Sequence, residues 1–137
     1  MFKVYTILFT LIAVLSSCEE RDCCAQLSDP IEVNDPYELK GVEVVDHFLE
    51  IEVSYAGGCK EHEFAIEWPD VITMVYPPDF GVTLYHDSNG DTCEALITDT
   101  LRFDINESGL GLSQQAIDDM RITVVNGSNP EQTVSNK

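Results

Sequence analysis

The strongest constraint on this chain is a repeated alternation of apolar and polar residues with a period of two. It is clearest over residues 49–55 and returns over 64–68, with acidic residues at many of the polar positions. Because successive side chains of a β-strand point to opposite faces, each run predicts a strand with an apolar inner face and an acidic outer face. Further short strands are predicted over 71–76, 82–86, 93–97, 101–105 and 122–125.

About seven short strands predict an all-β fold, an antiparallel β-sandwich of immunoglobulin-like or related type. One short helix is expected near 113–120, because Ser113 is a suitable N-cap and helix-forming residues follow it. The sandwich domain is predicted to span 41–128. A flexible acidic tether, 18–40, is expected before it and a frayed polar tail, 129–137, after it.

Residues 1–17 have the composition of a signal peptide. Lys3 is followed by an apolar run that is too short to span a bilayer, and then by Leu15-Ser16-Ser17-Cys18. These four residues resemble a bacterial lipobox, whose cysteine becomes the lipidated first residue of the mature chain. We therefore predict lipidation at Cys18 and a protein anchored to a membrane rather than spanning it. An ordinary signal peptide with an incidental cysteine is the alternative.

The acidic run Glu19-Glu20-Arg21-Asp22 resembles the export signal of surface-exposed lipoproteins of the Bacteroidetes, although solvated tethers are commonly charged. We predict a lipid-anchored outer-membrane location, with the periplasmic and surface-facing leaflets both open. The formal net charge of −18 argues against nucleic acid, which is bound through Lys and Arg. The expected partners are the membrane, through the N-terminal lipid, and another envelope protein.

Two of the five cysteines, Cys59 and Cys93, lie in the predicted sandwich. In an oxidising compartment a disulfide between them is the expected state. It would close a loop of about 35 residues and contribute ~4 kcal/mol in the chain-entropy model. Gly57-Gly58 suits a sharp turn just before Cys59. Cys23-Cys24 in the tether can form a vicinal disulfide, pair with another chain or stay free.

Asn89-Gly90 lies between two strand-like runs and predicts a β-hairpin with a type I′ turn. In that register His86 faces Cys93 across the hairpin. With Cys59 and His62 three positions apart, the four side chains match a tetrahedral ligand set for zinc or copper. A second form of this metal site uses His62 and His86 without the thiols. The competing interpretation is a disulfide, with each imidazole bonded only to a backbone carbonyl.

The sequence contains no recognisable catalytic motif, and we predict a protein that is not an enzyme and needs no cofactor. No Gly-x-Ser-x-Gly elbow occurs, and no glycine-rich phosphate loop precedes a helix. Residues 87–91 resemble the start of a calcium loop, but Thr92 and Thr98 stand where an EF-hand needs Gly and Glu, so we interpret the segment as a turn. Asp99-Thr100-Leu101 resembles an acceptor tripeptide for O-glycosylation in Bacteroidetes.

The lipobox, the acidic tether, Ser54-Tyr55-x-Gly57-Gly58-Cys59-x-x-His62-x-Phe64 and His86-x6-Cys93 together resemble small NigD-like lipoproteins of the Bacteroidetes over about residues 41–126. The resemblance implies a C-terminal β-sandwich and an envelope location. That family has a further N-terminal barrel, which we do not expect here, and its biochemical role is poorly defined. We predict an extracytoplasmic lipoprotein that acts as a non-catalytic accessory or binding module with a Cys59–Cys93 disulfide. The alternative is a zinc- or copper-binding lipoprotein that uses His62 and His86, with or without the thiols.

Overall fold

The computed structural model describes residues 34–73 and 75–137, and its strands form two packed sheets. The strands are β1 (Glu38–Val45), β2 (Phe48–Gly57), β3 (Glu63–Glu67), β4 (Asp79–Asp87), β5 (Ala95–Asp104), β6 (Arg121–Asn126) and β7 (Asn129–Ser135). A 3-10 turn, Ile105–Ser108, and the short helix α1, Gln114–Asp119, connect β5 to β6. The predicted all-β sandwich of about seven strands with one short helix is confirmed.

The two sheets have the strand orders β1-β2-β5 and β3-β4-β6-β7. Neighbouring strands are antiparallel except β4 and β6, which are parallel. A parallel pair needs a long connection, and here the chain between β4 and β6 passes through β5 in the other sheet and then through α1. This crossover is the one departure from a purely antiparallel arrangement in the described part of the chain.

The period-two pattern decides which face of each strand is buried. Leu49, Ile51 and Val53 of β2 are 0% exposed, and Leu84 and Ile122 of the opposite sheet are equally buried. The intervening glutamates of β2 lie on the outer face, where they remain solvated. Burying each such aliphatic side chain contributes about 1.5–3 kcal/mol, so the alternation sets both the strand faces and the position of the core.

Both ends of the domain extend beyond the predicted limits of 41–128. The prediction of a frayed tail over 129–137 is wrong, because β7 pairs with β6 in antiparallel register. The prediction of a flexible tether is wrong for residues 34–40, where Tyr37 and Leu39 belong to the core with 8% and 4% exposure. Neither segment has a long apolar alternation, and tertiary hydrogen bonds hold them instead.

Asn126, at the end of β6, joins these two segments. Its side chain is fully buried, and its amide nitrogen donates to the Tyr37 carbonyl at 2.9 Å and to the Gln132 side-chain oxygen at 2.7 Å. Its oxygen accepts from the backbone amides of Ser128 and Asn129. One buried amide group therefore fixes the segment before β1, the β6–β7 turn and β7.

The strand predicted over 71–76 is also wrong. The described residues 71–73 and 75–76 form no strand, and Val71 and Val75 are 83% and 55% exposed. Pro69 on one side and Pro77-Pro78 on the other have no amide to donate to a sheet ladder, so strand pairing does not extend into the segment from either side.

The signal peptide over 1–17, the lipidated Cys18 and Cys23-Cys24 all lie outside the described residues. Within the described ranges, no helix has the length and apolar character required to cross a membrane.

Asn126→Ala is expected to lower the free energy of unfolding by about 2–4 kcal/mol, because several buried polar groups lose their partners at once. Urea denaturation followed by circular dichroism measures this change. The matched control is Asn106→Ala, an exposed residue in the 3-10 turn, which we expect to shift the free energy by less than ~0.5 kcal/mol. Equal effects of the two substitutions would contradict the role of Asn126 in holding the segment before β1 and strand β7.

Candidate functional site

The Asn89-Gly90 turn carries the chain from one sheet to the other and does not close a hairpin. Both residues have positive φ, 53° and 65°, and the Asp91 amide donates to the Ser88 carbonyl at 3.0 Å, as the predicted tight turn requires. However, β4 and β5 belong to different sheets. The predicted register of His86 opposite Cys93 is therefore wrong, and His86 is paired with Phe64 of β3 instead.

Cys59 and Cys93 form a disulfide, with their Cα atoms 5.9 Å apart. Cys59 lies in the β2–β3 connection and Cys93 in the β4–β5 connection, and both connections pass between the two sheets. The disulfide therefore joins the two crossing points at one end of the sandwich.

Asp91 organises the backbone around this disulfide. Its Oδ2 accepts from the amides of Cys59 and Lys60, each at 2.9 Å, and its Oδ1 accepts from the amide of Cys93 at 2.9 Å. The amide of Cys93, followed by those of Cys59 and Lys60, holds the pKa of the Asp91 carboxyl well below its usual range. The Asp91 side chain is 1% exposed. It is therefore a buried, fixed negative charge at the disulfide-linked end of the sandwich, which we call the stapled end.

His62 and His86 lie side by side next to Asp91. His62 Nδ1 is 2.8 Å from His86 Nε2, and His86 Nδ1 is 3.2 Å from the Asp35 carbonyl oxygen. Because a carbonyl can only accept, His86 donates from Nδ1 and accepts at Nε2 from His62 Nδ1. His62 Nε2 lies 3.4 Å from Asp91 Oδ2. These contacts fix the orientation of both imidazole rings.

Burial and aromatic packing keep this histidine pair out of water. His86 is 1% exposed and the His62 side chain 2%. Burial lowers the pKa of His86, which favours the neutral ring that accepts from His62. The His86 ring stacks on Phe64, with centroids 4.4 Å apart and planes 14° apart, and Tyr55 packs against both histidines.

The two glycines before Cys59 have different tasks. Gly58 has φ of 113° and makes the predicted sharp turn. Gly57 leaves room for His62, because a Cβ atom there would lie 2.5 Å from His62 Nε2. The sequence indicates the turn, whereas the close approach of the imidazole depends on the fold.

The four predicted metal ligands do not form one cluster. The sulfurs of Cys59 and Cys93 are bonded to each other, and the facing nitrogens of His62 and His86 share a hydrogen bond. Cys59, Cys93 and Asp91 bring ligand atoms within 4.8 Å of one another, but that group contains neither histidine, and the Asp91 oxygens already accept backbone amides. Sequence analysis missed Asp91, since an Asp two residues before a Cys has no recognisable motif.

A second feature lies on the side of the sandwich, between the edge strands β3 and β5, and we call it the lateral groove. It is an open cavity of about 250 Å³. It is lined by Tyr55, His62, Phe64, Asp99, Leu101, Arg102 and Phe103. On the other side of the sandwich, β1 packs against β7, so the lateral groove marks the open side.

β5 shows how incompletely this side is covered. Leu101 and Phe103 lie opposite Ile51 and Leu49 of β2 in register, and the β2 residues are fully buried while those of β5 are only half-buried. Asp99 follows the same inner face and is exposed. Burial, together with the charge of Asp99, raises the pKa of Tyr55. An acid in an apolar alternation is visible in the sequence and could have drawn attention to this strand.

Comparison of the chain with protein-family models, with curated proteins and with solved structures gives no match. The resemblance to NigD-like lipoproteins therefore stays a prediction.

Asp91→Asn is expected to destabilise the protein most at neutral pH. The folded pKa of Asp91 lies below its ordinary value of 3.8, so its contribution is complete above about pH 4 and is lost as the pH falls further. The difference in melting temperature between wild type and variant should therefore shrink on acidification from pH 7 to pH 2. Asp70→Asn, at an exposed position, is the control. A difference that stays constant with pH would contradict this role of Asp91.

Proposed function

We propose that this protein is a lipid-anchored, non-catalytic binding module of the outer membrane, in which a disulfide-stapled sandwich presents a surface to another envelope protein. The observation that carries this proposal is that the polar atoms of the most chemically versatile side chains are directed at one another. His62 and His86 bond to each other, His86 and Asp91 also bond to the backbone, and all three side chains are buried.

A catalytic acid, base or nucleophile must present a proton or lone pair where a substrate can reach it. In this cluster His86 uses Nδ1 on a carbonyl and Nε2 on His62, while the Asp91 oxygens accept three backbone amides. These contacts support a structural role for the cluster at the stapled end. The lateral groove, by contrast, leaves apolar and aromatic side chains partly open to a partner.

The membrane anchor rests on the sequence. Leu15-Ser16-Ser17-Cys18 supplies the lipidation signal, and the acidic residues after it supply a solvated connection to the domain. The net charge of −18 favours a protein partner over nucleic acid. This combination supports a tethered module whose ligand is another component of the envelope.

Metabolic labelling with an alkyne fatty acid tests the anchor. The wild-type protein should incorporate the label and fractionate with membranes, and Cys18→Ser should lose both properties because the acceptor sulfur is gone. Cys23→Ser is the matched control and should keep the label. An unlabelled wild-type protein, or a Cys18→Ser variant that retains the label, would show that the anchoring part of the proposal is wrong.

Zinc or copper binding through His62 and His86 is a second, competing proposal. The observation in its favour is the 2.8 Å separation of the two facing nitrogens, with the Asp91 carboxylate 3.4 Å from His62 Nε2. A metal ion bound at about 2.0–2.1 Å from each nitrogen would have to replace the shared proton and separate the rings.

Titration of the disulfide-intact protein with Zn²⁺ and Cu²⁺ by calorimetry decides between the two proposals. Under the first proposal, the double variant His62→Ala/His86→Ala binds both ions as the wild type does, because the two imidazoles are hydrogen-bonded to each other and do not bind a metal ion. His47→Ala removes the remaining, partly exposed histidine and serves as the control. Loss of one tightly bound ion per chain in the double variant alone would overturn the first proposal in favour of the second.

A further inference from the structure

We propose that the lateral groove receives an extended segment of a partner protein as an added strand on β5, with a Lys or Arg of that segment paired to Asp99. The inference rests on the proposed binding function and specifies where and what the module binds. It is drawn from the free edge of β5, the uncovered apolar face beside it and the unpaired charge within that face.

β5 is an unusually open edge. It pairs with β2 without a register shift over ten residue pairs and has no neighbour on its other side in the described sheet. Alternate amides and carbonyls of an edge strand point away from the sheet and can pair with another chain. The other described edges are less suitable: β1 and β7 contain register shifts, and β3 has only five residues.

The inner face of β5 offers pockets for alternate side chains of an added strand. Leu101 and Phe103 are half-buried, and Phe64 of β3 forms the opposite wall. In recognition by strand addition, main-chain hydrogen bonds supply affinity and such alternate contacts supply specificity. An extended segment with apolar residues at every second position would cover these side chains.

Asp99 sets the charge of the occupant. It lies on the same face between Ile97 and Leu101. Among the described residues its carboxylate forms no ion pair, and the only hydrogen bond that it accepts comes from the neighbouring Thr100 amide. The one Lys or Arg of the groove lining, Arg102, is bound to Glu50 at 3.0 Å and lies over the Phe48 ring. The complementary positive charge must therefore come from the partner.

The acidity of the whole chain supports the same occupant. A second copy would bring another net charge of −18 to an edge that already carries Asp99, and like charges at a strand pair are destabilising. An inward-facing charge also protects an edge strand from unselective pairing. The same carboxylate thus excludes further copies of this chain and selects a basic, apolar strand.

The test uses the detergent-solubilised full chain and two fluorescent peptides, Val-Thr-Val-Thr-Lys-Thr-Val and the same sequence with Glu in place of Lys. In antiparallel register the variable residue lies opposite Asp99. Fluorescence anisotropy should show the Lys peptide binding about tenfold more tightly than the Glu peptide, as one charge-assisted contact predicts. Asp99→Asn should remove most of this preference. Glu52→Gln, on the outer face of the neighbouring strand β2, should preserve it.

Hydrogen exchange measured by mass spectrometry locates the bound peptide. Additional protection should appear over β5 when the Lys peptide is added, beyond that of the amides already bonded to β2, and none should be added over β7. Equal binding of the two peptides, added protection elsewhere, or dimerisation in light scattering would each overturn the inference. A chain that is lipidated and membrane-bound but binds neither peptide overturns the groove assignment alone. Loss of lipidation with intact peptide binding overturns only the anchoring proposal.

Discussion

The stapled end of this sandwich depends on one carboxylate. Asp91 accepts backbone amides from both connections that cross between the sheets, and the disulfide joins the same two connections covalently. A carboxylate bonded to several amides stays ionised, so Asp91 also places a negative charge beside His62. The turn at Asn89-Gly90 thus places Asp91 where it contacts the backbone beside both cysteines of the disulfide and also His62 of the buried histidine pair.

The local residue pattern predicted the strands and the helix better than it predicted which strands pair with each other. The period of two identified β2 and its buried face, and Ser113 correctly marked the start of α1, where its side chain accepts from the Ala116 amide. Asn89-Gly90 also determined the conformation of its turn. It could not determine which sheet the next strand joins, because that depends on the pairing of β5 with β2, which lies far away in sequence. β7 is polar and is held by its pairing with β6, so its sequence alone shows little of the alternation that predicts a strand.

The same division applies to the candidate sites. The disulfide between Cys59 and Cys93, which the sequence predicts, is present and brings the segments that carry His62 and His86 to one end of the sandwich. The predicted hairpin register of His86 opposite Cys93 is wrong and does not account for this proximity. The lateral groove results from two edge strands in different sheets and could not be inferred from either strand alone. Asp99, an acid where the alternation calls for an apolar residue, is a local signal that could have drawn attention to the groove.

The entry point of the chain has a mechanical consequence. The amide of Asp35 donates to the His86 carbonyl at 2.9 Å, and its carboxylate accepts from the Ser88 amide at 2.9 Å. A pull on the domain from the N-terminal side therefore reaches the end of β4 first, beside the disulfide, before it reaches the pairing of β1 with β2. Tension is carried into the cross-linked end of the sandwich, where the covalent bond limits how far the two connections can separate.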